Sequence, residues 1–230
     1  MSSAVSSWDE FSDALAREVA WRKRELASWE SVVTGAGDAE RAVLLRWGMV
    51  VLCGHLQGML RSATKLYLDY VSGCLATDGP ALAELAPEVC ALVLCQEFAS
   101  ELRGERPRHR WVLVEAIRKG WARPSSVFQG LDKALEMDVT PTNGEEVARA
   151  IGVANVADDK GETFGEYARR TRNFIRPCVV EKRNAVAHGG VDEVTIEEYR
   201  EAKRVVLEYM DRFADAVERA AAQRLYLAQA

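Results

Sequence analysis

From Ala39 to Cys74 the chain contains no proline, and before Gly73 its only glycines are Gly48, Gly54 and Gly58. At its centre, Trp47 to Leu60 is fourteen residues without a charged side chain, interrupted only by His55 and Gln57. A stretch of this kind reads as one long helix, apolar nearly all round at its middle, and such a helix belongs in the interior of a bundle. Fourteen uncharged residues fall short of the about 20 needed to cross a bilayer, so no membrane span is expected. Gly54 and Gly58 lie four apart on one face, a spacing that would let another helix approach closely.

The remaining segments are also helical in period. Trp8, Phe11, Leu15, Val19, Arg22 and Leu26 recur every three or four residues, which predicts an amphipathic helix from Trp8 to Val33. Gly35-Ala36-Gly37-Asp38 is a turn with Asp38 as N-cap, and Asp78-Gly79-Pro80 ends the long helix. Shorter helices fit Pro87–Leu102, Trp111–Trp121 and Leu131–Met137. Thr142-x-x-Glu145 and Thr195-x-x-Glu198 have the form of capping boxes; they open a short helix ending near Ile151 and a long final one from Ile196 to Leu227. Helical spacing also runs from Phe164 to His188. Pro177 either kinks it or begins a new helix there, and Gly189-Gly190 ends it. No alternating run is long enough for a sheet. The expectation is an all-α single domain over 1–230. Its helical ends, 8–102 and 164–227, share one core, and a less regular insertion or lid covers 103–163.

Composition narrows the class. With 48% apolar and 28% charged residues the chain is an ordinary globular protein, which excludes disordered and fibrous classes. The start, MSSAVSSWDEF, lacks a basic segment followed by an apolar core, so a secretion signal is not expected and a cytoplasmic location is. The five cysteines form no CxxC pair and read as buried thiols, and the three histidines are each more than fifty residues apart. No metal site and no cofactor is therefore proposed.

The net charge of −5 conceals two concentrated basic segments. Residues 101–123 carry seven Arg or Lys against three Glu, and residues 169–183 carry six against Glu181 alone. Locally positive segments on an acidic body can still meet a polyanion. If one helix continues through Pro177, Arg169, Arg172, Arg176 and Arg183 fall within about 60° of one another at 100° per residue, a stripe able to track a phosphate backbone. The alternative reading of such runs is a solvated face.

The chemistry concentrates in Glu181-Lys182-Arg183-Asn184-Ala185-Val186-Ala187-His188-Gly189. Asn184 and His188 are i and i+4 and share a helix face. Arg183 lies five residues before His188, about 7.5 Å along the axis, within reach of a long side chain. An imidazole can move a proton near neutral pH, and a guanidinium can bind phosphate through two parallel bonds. An amide can hold a hydroxyl or a phosphate oxygen. Ala185 and Ala187 keep the neighbouring surface low.

The Arg-Asn-x-x-x-His form, followed by Gly and a long amphipathic helix, resembles the HEPN superfamily of all-α ribonucleases, and more narrowly the RiboL-PSP type. Further matches are Trp21-Arg22-Lys23-Arg24-Glu25, His55-Leu56-Gln57-Gly58-Met59 and Tyr67-Leu68-Asp69-Tyr70-Val71. The resemblance implies a metal-independent endoribonuclease in which the RNA's own 2′-hydroxyl attacks phosphorus. His188 would move the proton, Arg183 neutralise the developing charge and Asn184 orient the substrate or the imidazole. Arg169, Arg172, Arg176, Lys182, Gln57 and Arg61 would support RNA binding. It also implies a homodimer with a composite active site and a role as a toxin or phage-defence effector, restrained by an antitoxin or other defence-system partner. One departure stands out: the family's Glu and Trp in the long helix are Gln57 and Leu56 here. The loss of that charge leaves open a catalytically silent HEPN domain, binding RNA or nucleotide or dimerising as a regulator.

Overall fold

The computed structural model describes residues 7–97, 131, 135, 137–190 and 193–228. The basic segment 101–123, the helix expected at Trp111–Trp121 and most of Leu131–Met137 lie outside the described residues. Within them, helices α1 (Trp8–Gly35), α2 (Asp38–Asp78), α3 (Pro87–Glu97), α4 (Gly144–Ala150), α5 (Phe164–Ile175), α6 (Lys182–Ala187) and α7 (Ile196–Ala222) account for the architecture, with a 3₁₀ turn at Leu82–Glu84 and a π-helical turn at Arg176–Glu181. Among the described residues there is no strand, only two isolated bridges, Leu85 with Leu227 and Ala157 with Thr163. The fold is all-α.

Helix α2 is the axle. Its length and apolar content match those of a bilayer-crossing helix, but its Leu, Met and Tyr side chains are buried along most of its length against α1, α6 and α7. The hydrophobic burial that would otherwise call for lipid is supplied by the protein itself. From α1, Phe11, Leu15, Leu26 and Val33 pack inward; from α7, Tyr199, Val206, Tyr209, Met210 and Phe213 do the same. A ring cluster of Phe164, Tyr167, Tyr209 and Phe213, with centroids 5.1 to 6.4 Å apart, joins α5 to α7. The described part of the irregular region also enters this core, through Val147, Ala148, Ile151 and Val153.

Local signals explain most element boundaries. Ser7, Thr163 and Thr195 each accept from the backbone N–H three residues on, while Glu10, Glu166 and Glu198 accept from the cap residue's own N–H. Three reciprocal capping boxes thus begin α1, α5 and α7. Two expected caps fall elsewhere. Gly37 stands at the N-cap of α2, so Asp38 is its first helical residue. The box expected at Thr142 is not formed: α4 begins after Asn143, because the Glu145 carboxylate is drawn away by Arg169 and Arg149. Asn143 instead ties the preceding loop, accepting from the Thr140 N–H and donating to the Asp138 carbonyl.

The glycines of α2 admit side chains, not a helix backbone. A Cβ on Gly58 would stand 2.5 Å from a terminal nitrogen of Arg22, and one on Gly48 would stand 2.7 Å from the Tyr199 ring. Gly54 faces open space. Gly48→Ala is expected to lower the urea midpoint through overpacking of about 1–3 kcal/mol. Gly54→Ala, at an exposed helical position, is expected to raise it through a gain in stability of about 0.5–1 kcal/mol. Equal shifts in both variants would contradict this setting of the helix.

Candidate functional site

Arg183, Asn184 and His188 sit on α6, the last segment of a helical run that starts at Phe164 and changes its winding on the way. Arg176–Glu181 forms a π turn, within which Pro177 lies. Proline lacks the N–H of an α ladder and its ring crowds the carbonyl four residues back, and the wider i→i+5 turn relieves both. The chain therefore does not leave the helix at Pro177.

The π turn has an angular consequence. Six residues wound more loosely set α6 back around the axis relative to an unbroken α-helix. The stripe of four arginines required an unbroken helix, and that condition is not met. Arg169 and Arg172 reach toward α4, where they pair with Glu145 at 2.6 Å and Glu146 at 3.3 Å. Arg183 instead faces α2, its Nε donating to the Cys53 Sγ at 3.5 Å.

The other candidate cations are also met by acids. Arg176 lies 3.3 Å from Glu181, and Lys182 lies 2.8 Å from Glu198. Arg61 is hydrogen-bonded to Asp138. Glu198 serves two purposes, closing the capping box of α7 and holding Lys182, and the Lys182 bond is the main reason its carboxyl titrates below the usual range. Hydrogen bonding to Arg169 likewise lowers Glu145. Gln57 donates from Nε2 to the Val139 carbonyl at 2.9 Å, so with Arg61 it fastens the 138–139 loop to α2.

What remains open is the motif itself. No side chain of α6 is fully buried: Arg183 is half-buried, and Asn184 and His188 are exposed. Among the described residues Arg183 has no carboxylate within 4 Å, and neither the Asn184 amide nor the His188 ring has a hydrogen-bond partner. The end of the helix is tightly made. Gly189 adopts a left-handed φ of 79°, and the N–H groups of Gly189 and Gly190 donate to the carbonyls of Val186 and Ala185. A Cβ on Gly190 would fall 2.8 Å from the Ala185 oxygen. The two glycines thus turn the chain away directly after His188 and leave the imidazole at a free helix end.

The segments Trp21–Glu25 and His55–Met59 meet elsewhere, on the outward side of α1 and α2. Arg22, only 7% exposed, bonds Glu18 at 2.9 Å and the His55 carbonyl at 3.4 Å. Trp21 meets the His55 ring edge-on at 5.5 Å, and His55 Nε2 lies 3.3 Å from Glu25. These groups line a groove of about 610 Å³ with Trp29, Val32 and Val51. They clamp two helices together; they do not join the α6 group.

The family comparison agrees with this all-α arrangement. Residues 11–226 match the family described as HEPN_MAE_28990-like HEPN, and the chain belongs to that HEPN family. Many HEPN domains are ribonucleases and some are inactive. Neither a curated protein nor a solved structure matches the chain.

Two features of the site carry no sequence signal. Cys53 reads as one more buried thiol until the fold places it beside Arg183. The acids that cover the basic run are scattered over 145–198, so counting charge along the chain misses pairing through space.

Burial depresses His55 below the ordinary imidazole value, with Arg22 adding to the effect and Glu25 opposing it. The unfolded chain therefore takes up this proton first as pH falls. The folded state is expected to lose stability as pH drops through about 6.5 toward the lower folded value, before the carboxylates titrate. Urea unfolding between neutral pH and about pH 5 measures this slope, and His55→Gln is expected to flatten it.

Proposed function

We propose that the protein is a metal-independent endoribonuclease acting through Arg183, Asn184 and His188. The observation that carries this reading is the open helix end of α6. Within a HEPN domain, an exposed imidazole and amide share a helix with a guanidinium whose terminal nitrogens are unclaimed, while the cations around them are paired.

The chemistry follows from these groups. The ribose 2′-hydroxyl would attack the adjacent phosphorus as its proton leaves, and the 5′-oxygen would depart as it gains one. The products are a 2′,3′-cyclic phosphate and a 5′-hydroxyl, with no metal and no external nucleophile in the balance. His188 is placed to shuttle the proton. Arg183, side-on to Cys53 through Nε, has both terminal nitrogens free for the phosphoryl oxygens as charge builds on them. Asn184, one helical turn from His188, would hold a substrate oxygen or the ring. Arg169, Arg172, Arg176, Lys182 and Arg61 would contact RNA only by exchanging a carboxylate for a phosphate, a small cost for exposed pairs.

The low, exposed surface at Ala187 fits a homodimer in which two α6 ends border one cleft. An effector of this kind, acting in the cytoplasm as a toxin or in phage defence, would need an antitoxin or another defence-system partner to restrain it. A second reading, a silent HEPN module that binds RNA or nucleotide or dimerises as a regulator, is favoured by Gln57. Its amide is taken up by Val139 and brings no negative charge to the face of α2 that carries Cys53.

Purified protein incubated with mixed RNAs in EDTA is expected to yield fragments with cyclic-phosphate ends. Arg183→Ala and His188→Ala, matched for folding by melting, are each expected to lose at least about 100-fold in rate. Equal cutting by wild type and both variants would remove the assignment. Retention of RNA without cutting would select the silent module.

A further inference from the structure

Four arginines among the described residues, Arg17, Arg24, Arg46 and Arg183, have no carboxylate within 4 Å. Arg17 and Arg24 are exposed on α1, where water solvates them. Arg46 and Arg183 are half-buried. A cation that gives up part of its water without gaining an acid is held at a cost, and the other half-buried arginines among the described residues are paired.

The two lie along one side of α2. Arg46 precedes Cys53 by seven residues, about 20° short of two full turns, so both point to the same face, separated by about 10.5 Å of axis. Cys53 is the residue that Arg183 touches. Further along the chain, Glu193, Val194 and Thr195 share a depression of about 330 Å³ with Leu45 and Arg46. The chain thus meets α2 at the level of Cys53 through Arg183 and at the level of Leu45 and Arg46 through Val194. In chain order His188 and the glycine turn fall between those two contacts. In the same depression Arg41 already bonds Asp38, and Glu193 makes no ion pair with Arg46.

We infer that Arg46 is a second phosphate-binding residue, holding a backbone phosphate of the same RNA strand whose reacting phosphate lies at Arg183 and His188. The inference rests on the ribonuclease reading above and sets the direction of the strand: along α2 from Cys53 toward Arg46, not along Arg169, Arg172 and Arg176, whose guanidinium groups are occupied by carboxylates. Arg46 is a binding residue here and moves no proton.

The test is the salt dependence of affinity for a short single-stranded 2′-O-methyl RNA, which cannot be cut by its own hydroxyl. Each phosphate contact on a single strand contributes about 0.7 to the slope of log K against log salt. Arg46→Gln is expected to weaken binding severalfold and to reduce the slope by about that amount, with an unchanged melting temperature because Arg46 holds no partner in the fold. Arg17→Gln, at an exposed position of α1 that has no part in the site, is expected to leave slope and affinity as in wild type. If Arg46→Gln binds with wild-type affinity and slope while Arg183→Gln is weakened, the strand does not pass Arg46 and the inference fails with the nuclease reading intact. If the wild type neither cuts RNA nor binds it in a salt-dependent way, both fall together.

Discussion

A helix that is apolar over most of its circumference has to be enclosed, and α2 imposes that demand on the whole molecule. α1 and α7 are long because they must cover it, and their own apolar stripes are one-sided because only one side is needed. α6 completes the enclosure on the remaining flank, which is why a short helix with no fully buried side chain can be held in a fixed position. The Arg183 side chain takes its bearing from this contact. It leans on a sulfur of the buried axle, while the next two polar groups of the motif stay in water.

The architecture was legible in the sequence wherever a local rule and a packing rule agreed. α1, α2 and α7 have clear period and clear ends, and the Thr195 box begins the last helix where its spacing says it should. Legibility failed where a distant group outbid a local one. Thr142 and Glu145 have the form of a cap, but Glu145 lies beside Arg169 of another helix, and a charge-assisted pair outweighs a backbone cap. Gly54 and Gly58 carry the spacing of a helix contact, but Gly58 makes room for a guanidinium and Gly54 for nothing. Neither outcome is written in residues close to them.

The motif Arg183-Asn184-x-x-x-His188 stood out from spacing and company alone, and its exposure follows from the Gly189-Gly190 turn beside it. Its surroundings did not stand out. The basic run 169–183 looks like a continuous positive face when its charges are summed in order, but apart from Glu181 the acids that meet it come from other parts of the chain. Among the described residues, the half-buried arginines that the fold leaves without an acid are Arg46 and Arg183.

The loosened winding around Pro177 separates two mechanical tasks that an uninterrupted rod would have to share. Upstream, α5 is clamped to α7 by rings and to α4 by ion pairs. Downstream, α6 rests on α2 and is tied to α7 through Lys182 and Glu198. Rewinding residues 176–181 as ordinary α-helix, with their number unchanged, would rotate the reactive end by about 100°, swinging Arg183 off its sulfur rest while leaving the aromatic clamp untouched. Lineages in which that stretch has lost its loose winding at constant length would then keep the bundle and forfeit the alignment of its chemistry, a route from enzyme to inert scaffold that alters none of the three reactive side chains.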